Sequence, residues 1–164
     1  MQNRKILLAF MVLILLLMVG CGSDPVKTDL EEYLNFEMSV QKEAENFSLD
    51  LMSNMSNTAK DKDEVVKMFA EANGKLTAFA EKQKGYKPKT KEVQAIHDKY
   101  LKMLDNSTYV FNEITNMLNS DKPTKEQLEN LTQKQQEIIK LTKEYRDDIR
   151  TLAEQKKVEV KLFK

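Results

Sequence analysis

The fold of this chain is indicated most clearly by residues 90–119, TKEVQAIHDKYLKMLDNSTYVFNEITNMLN. Apolar side chains recur in this stretch every three or four residues, a spacing that places them on one face of an α-helix. Thr90 stands where a helix N-cap is expected, and a break follows at residues 119–123. The stretch predicts a long amphipathic helix with a stripe formed by Val93, Ile96, Tyr100, Leu104, Ser107, Phe111, Ile114 and Leu118.

Three more segments have the same period, and Gly and Pro are scarce, with four and three residues respectively. Either Thr28 or Asp29 can cap the first segment, and Gly85 is placed to terminate the second as a C′ residue. Thr124-x-x-Gln127 resembles a capping box that opens the last segment. The predicted helices are residues 28–58, 61–84, 90–119 and 124–157.

Short connections make consecutive helices antiparallel, and each helix has one apolar stripe to bury. The predicted fold is therefore all-α, an elongated antiparallel four-helix bundle of up-down-up-down topology. A second architecture stays open, in which two splayed hairpins complete their core by forming a homodimer, because Gln135 and Thr142 dilute the stripe of the fourth helix. Val158, Val160 and Leu162 alternate with polar residues, and the pattern leaves their structure undecided.

The first residues have the pattern of an export signal. Arg4 and Lys5 precede an apolar run of 14 residues, 6–19, which is too short for a typical spanning helix of about 20 residues. The predicted organisation is a cleaved signal peptide at 1–20, a membrane tether at 21–27 and a helical bundle domain at 28–164.

The run ends in Leu17-Met18-Val19-Gly20-Cys21, which resembles the lipobox of bacterial lipoprotein precursors. The resemblance implies cleavage between Gly20 and Cys21, and a diacylglyceryl group on Cys21 that holds the chain to the extracytoplasmic face of the cell membrane. Met18 departs from the pattern, which usually has Leu, Val or Ile there. The alternatives are an ordinary signal peptide and an uncleaved anchor.

Composition argues against several classes of function. Loss of residues 1–20 leaves 24 basic and 26 acidic residues, a net charge of about −2, so a nucleic-acid partner is not expected. His97 is the only histidine, and no strong ligand lies one helical turn away, so neither a metal site nor any other cofactor is predicted. His97 is expected to be a packed, hydrogen-bonded residue, and the protein is not expected to be an enzyme.

Basic residues concentrate around the connection between the second and third helices, near Tyr86. In an up-down bundle this connection and the C-terminal residues return to the end where the chain leaves the membrane. The sequence therefore predicts contact with anionic headgroups, and a solvated loop is the alternative. The candidate lipid-contact residues are Lys84, Tyr86, Lys87 and Lys89.

Residues 87–93, KPKTKEV, followed by His97 and Tyr100, resemble a pattern in small helical lipoproteins of Gram-positive bacteria, including cell-wall-binding lipoproteins. That group implies no defined activity. The predicted function is a non-enzymatic interaction or scaffold module whose partner is an envelope protein or polymer. The alternative is a small-ligand or metal carrier with a site between helices, near His97 and the methionines. Protection against phage or conjugative entry is also compatible with the sequence.

Overall fold

The computed structural model describes residues 24–58, 62–120 and 122–162. It contains four helices: α1 (Pro25–Thr58), α2 (Lys62–Gly85), α3 (Lys91–Asn119) and α4 (Lys125–Lys156). The predictions for the signal peptide, for Gly20 and for Cys21 lie outside the described residues. The described helices include none that is long and apolar enough to cross a membrane.

The first helix begins at Pro25, three residues before the predicted start. Pro25 suits the first helical position because its missing N–H would have no partner there. The carboxylate of Asp24 accepts hydrogen bonds from the amides of Val26 and Lys27, at 3.0 and 3.3 Å. Asp24 is therefore the N-cap, and the prediction of Thr28 or Asp29 was wrong.

Other helix boundaries follow local signals closely. Thr90 and Thr124 occupy the N-cap positions of α3 and α4, and Thr124 forms the predicted capping box with Gln127. Gly85 is the last residue of α2 and has no positive φ, so its prediction as a left-handed C′ residue was wrong. Lys157 takes the left-handed conformation at the end of α4 instead.

Neighbouring helices are antiparallel, as predicted. In the contacts between α3 and α4, residue numbers rise along α3 while they fall along α4. These contacts are Lys99–Asp148, Lys102–Glu137 and Asn106–Lys134. Helix α3 packs against the three other helices, whereas α2 and α4 make no contact over the described ranges. The all-α bundle is confirmed, with α1 and α3 on its short diagonal.

Burial is deepest at the end that holds the start of α1, and this region is called the proximal core. It comprises Leu30, Tyr33, Leu34, Val93, Ile96, Tyr145, Ile149, Leu152 and Ala153. Towards the opposite end the stripe of α3 is only half-buried at Phe111, Ile114 and Leu118. Leu128, predicted to lie on the core stripe of α4, is 48% exposed. The apolar pattern of α4 therefore continues beyond the part of the helix whose side chains are buried.

Residues 158–162 form a tail without regular secondary structure. Val158, Val160 and Leu162 are half-buried against the proximal core, while Glu159 and Lys161 are exposed. The alternating residues, whose structure the sequence left undecided, therefore belong to an irregular segment that places its apolar side chains against the bundle. The described residues contain no β-strand.

Candidate functional site

The proximal core encloses polar side chains that each helix contributes. Glu37 comes from α1, Gln83 from α2 and His97 from α3, and they are 3%, 0% and 1% exposed. The hydroxyls of Tyr33 on α1 and Tyr145 on α4 lie in the same region. Burying so many polar groups is unfavourable unless they are hydrogen-bonded, so this cluster is the main departure from an apolar bundle core.

Helical spacing places these residues towards the core. Leu30, Tyr33, Leu34, Glu37 and Val40 follow intervals of three and four residues on α1, and all of them are buried. Glu37 thus occupies a position in the stripe where an apolar residue is usual. Sequence analysis missed this residue, although a carboxylate that fills a gap in an apolar stripe was a detectable signal.

Hydrogen bonds link the cluster across the helices. His97 Nε2 lies 3.1 Å from the backbone oxygen of Gln83, and because a carbonyl only accepts, Nε2 is the donor. The Gln83 amide donates to Glu37 Oε2 at 3.3 Å, and the Tyr33 hydroxyl donates to that of Tyr145 at 3.3 Å. His97 is therefore the packed, hydrogen-bonded residue that the sequence predicted.

Three buried polar atoms in this cluster have no hydrogen-bond partner within the part of the chain that is described. They are Glu37 Oε1, Gln83 Oε1 and His97 Nδ1. An unpaired buried acceptor costs about 1–3 kcal/mol. The cluster is therefore incompletely satisfied by the protein's own side chains.

Burial changes the protonation of the two titratable groups. Removal from water raises the pKa of Glu37 to about 7, although the nearby Tyr33 hydroxyl and the hydrogen bond from the Gln83 amide act in the opposite direction. Burial also lowers the pKa of His97, against the hydrogen bond to the Gln83 backbone. Near neutral pH, His97 is mostly uncharged, and Glu37 is present in both protonated and ionised forms.

Aromatic rings surround these groups. Tyr86, in the connection between α2 and α3, stacks on Phe36 with ring centroids 4.4 Å apart and meets His97 edge-on at 5.7 Å. Tyr33 also meets His97 edge-on, at 5.6 Å. On the other side of the cluster, Tyr100 stacks on Tyr145 at 5.0 Å.

A cavity of about 200 Å³ lies beside Glu37, between α1, α3, α4 and the C-terminal tail. We call it the Glu37 cavity. Its wall is largely apolar and aromatic, and exposed Arg146 stands at its edge. Its lining residues are Glu37, Val40, Gln41, Tyr100, Met103, Thr142, Tyr145, Arg146 and Leu162.

The predicted lipid-contact residues lie at the proximal end of the bundle, but two of them face acids. Lys84 pairs with Glu81 and Asp105, and Lys89 pairs with Glu32. Lys87 donates to the backbone oxygen of Lys84 at 2.7 Å. Tyr86 is half-buried in the aromatic cluster.

Asp29 has a role that the sequence did not reveal. Its Oδ2 accepts hydrogen bonds from the amides of Lys89 and Thr90, at 3.0 and 2.7 Å, and from the Thr90 hydroxyl at 2.6 Å. A carboxylate on α1 thus holds the N-terminus of α3, about sixty residues away in sequence. Local capping patterns cannot identify such a contact.

The described residues contain no group of three or more His, Cys, Asp or Glu side chains placed to hold a metal ion. Met103, one of the methionines of the predicted carrier site, lines the Glu37 cavity, and its sulfur accepts a hydrogen bond from Thr142 at 3.1 Å. The arrangement therefore offers one carboxylate, aromatic rings and a thioether, which is a set suited to binding a small molecule.

A protein-family model described as "Uncharacterised lipoprotein PM1805" matches residues 27–157. The match spans most of the chain and runs from the first turn of α1 to the end of α4. No curated protein and no solved structure matches the chain.

Proposed function

Because the chain belongs to this family of lipoproteins, we propose that it is a non-enzymatic interaction module, anchored by acylated Cys21 to the outer face of the cell membrane. Family membership makes it a membrane-associated, lipid-anchored envelope protein. The membrane face, the lipidated residue and the role as a module are parts of the proposal.

The observation that carries the proposal is the meeting of three chain segments at the proximal end. Lys156, at the end of α4, pairs with Asp24 at 2.8 Å. Asp29 holds Lys89 and Thr90 of the connection between α2 and α3. Asp24 follows Cys21 by three residues, so a lipid on Cys21 would hold this end of the bundle at the membrane.

The opposite end would then face the envelope. It comprises the start of α2 and the connection between α3 and α4, which is exposed at Ser120 and Lys122. Helices of 24 to 34 residues are about 36–51 Å long at 1.5 Å per residue. A rod of this length with so short a tether would meet partners close to the membrane surface.

Anchoring is tested by fractionating cells that make the wild-type chain or Cys21→Ser. We expect the wild type in the membrane fraction, with a mass increased by acyl chains, and Cys21→Ser without that mass increase. A wild-type protein that carries no lipid would contradict the proposed anchor.

Partner binding is tested in intact cells by placing a photoreactive amino acid at Ser120 or Lys122, with Glu92 at the proximal end as the matched exposed control. We expect a discrete crosslinked protein or polymer from the distal positions that is absent from the control. Equal labelling from both ends, or none from the distal end, would contradict a distal interaction surface.

Headgroup contact by the proximal end is a separate expectation, tested with Cys21→Ser protein and vesicles that contain or lack anionic lipid. Pairing of Lys84 and Lys89 with acids leaves Lys87 as the strongest contributor among the predicted lysines. Lys87→Gln should weaken binding to anionic vesicles by up to about fivefold, which corresponds to roughly 1 kcal/mol. Binding that does not depend on anionic lipid would refute headgroup contact.

A further inference from the structure

The Glu37 cavity has a feature that packing does not explain. Glu37 is 3% exposed and lines the cavity, yet its Oε1 has no hydrogen-bond partner among the described residues. A carboxylate in such a position is costly unless it is paired. A ligand that supplies a positive charge and N–H donors would remove this cost.

We propose that the Glu37 cavity binds a small organic cation of the primary-amine class, with its ammonium group donating to Glu37 and its apolar part lying against the stacked rings of Tyr100 and Tyr145. This inference goes beyond the role as an interaction module and does not depend on it. It assigns a ligand site to the bundle itself.

The chemistry of the cavity is unfavourable for three other classes of ligand. An anion would be repelled by Glu37, and a purely apolar ligand would leave Oε1 unpaired. A divalent metal ion needs several oxygen, nitrogen or sulfur ligands, and Glu37 is the only carboxylate in the lining. An ammonium group provides three donors and a charge, so it matches the unpaired acceptor.

The aromatic rings favour the same ligand class. The faces of tyrosine rings attract cations. Tyr100 and Tyr145 both line the cavity and are stacked on each other, so their positions are mutually fixed. Arg146 is exposed at the edge, where solvent screens its charge from a ligand beside Glu37.

Size limits the ligand. A cavity of about 150 Å³ is enough for benzene, so 200 Å³ admits an amine of comparable or slightly larger size. Leu162 of the C-terminal tail forms part of the wall. Pentylammonium is a suitable probe, and 1-pentanol is an uncharged control of nearly equal size.

Binding should depend on pH through Glu37. The titratable groups that act on Glu37 are phenols, and burial raises the pKa of all four: Tyr33 from α1, Tyr86 from the connection before α3, Tyr100 from α3 and Tyr145 from α4. His97 meets Tyr33 edge-on, with ring centroids 5.6 Å apart, and Arg146 stands at the cavity edge. Because the pKa of Glu37 is about 7, lowering the pH to about 5.5 should weaken pentylammonium binding roughly thirtyfold relative to about pH 8.5.

The test is isothermal titration calorimetry of the full chain in a nonionic detergent, so that the micelle contributes equally to all variants. We expect saturable binding of pentylammonium at about pH 8.5 that is at least about tenfold tighter than that of 1-pentanol. Glu37→Gln should abolish the difference between the two probes. Glu43→Gln, an exposed glutamate on the same helix, should leave it unchanged.

A second variant keeps the proposal testable if Glu37→Gln does not fold. Thr142→Leu places a larger side chain in the cavity and leaves Glu37 intact, so it should weaken both probes. Circular dichroism reports whether each variant is folded. Equal affinity of the wild type and folded Glu37→Gln for pentylammonium, or no saturable binding by the wild type, would overturn the proposal.

Discussion

Glu37 links residue chemistry to the stability of the whole domain. Its side chain is held in the folded protein at a pKa of about 7, compared with an ordinary value of 4.5. The folded state therefore binds more protons than the unfolded state between these two values, so stability falls as the pH rises through this window. Above about pH 7 the buried carboxylate is ionised in the folded protein, and it lowers the free energy of unfolding.

Glu37→Gln should remove this cost while preserving shape. We expect the free energy of unfolding to increase by up to about 3 kcal/mol near pH 8, and to change little near pH 5, where Glu37 is already protonated in the folded protein. Urea denaturation across this pH range, with Glu43→Gln as the exposed control, checks the expectation. Parallel stability curves for the wild type and Glu37→Gln would contradict it.

The sequence revealed His97 more reliably than Glu37. A single histidine without ligands one turn away predicted a packed residue, and the hydrogen bond to Gln83 bears this out. Glu37 was overlooked because the pattern of α1 remained helical without it. Whether a carboxylate in a stripe is buried depends on the neighbouring helices, which a local pattern does not contain.

At the scale of elements, the starts of α3 and α4 are held in two different ways. Thr124 caps α4 from within its own segment through the capping box with Gln127. The start of α3 is held by Asp29 of α1. The capping box can be recognised from four consecutive residues of sequence. The Asp29 contact forms only when α1 and α3 have packed together.

Loss of the Asp29 contact should lower the free energy of unfolding more than loss of the Thr124 cap. Asp29→Ala should destabilise the protein by about 2 kcal/mol, since it leaves partly buried amides without an acceptor. Thr124→Ala, on an exposed cap, should cost about 1 kcal/mol or less. Urea denaturation compares the two, and hydrogen exchange in the first turn of α3 should accelerate only in Asp29→Ala. A smaller loss for Asp29→Ala than for Thr124→Ala would contradict the contribution of this contact.

At the scale of the whole molecule, packing is uneven. The proximal core gathers the start of α1, the connection before α3, the end of α4 and the tail. The far part of α4 is less well covered, with Leu128 and Ile139 exposed at 48% and 70%. The end at which α1 begins is therefore the better-packed end of the bundle.

The C-terminal tail contributes to this core. Ending the chain at Lys157 removes the half-buried side chains of Val158, Val160 and Leu162, and should lower the free energy of unfolding by about 3 kcal/mol. Replacing exposed Glu159 and Lys161 by Ser serves as the control and should change it little. Thermal or urea unfolding checks both. A truncated protein as stable as the wild type would show that the tail does not stabilise the bundle.

The sequence by itself predicted a lipoprotein of four antiparallel helices, because the lipobox pattern, helical periodicity and the capping box of Thr124 each lie in neighbouring residues. The family match supports the first conclusion, and the helix bounds support the second. The resemblance to cell-wall-binding lipoproteins stays a prediction. Tertiary structure alone decided that Asp29 holds the residues before α3, that Glu37 is buried beside a cavity and that the tail packs on the core. These features depend on contacts between residues far apart in sequence, whose energies arise only when the helices pack.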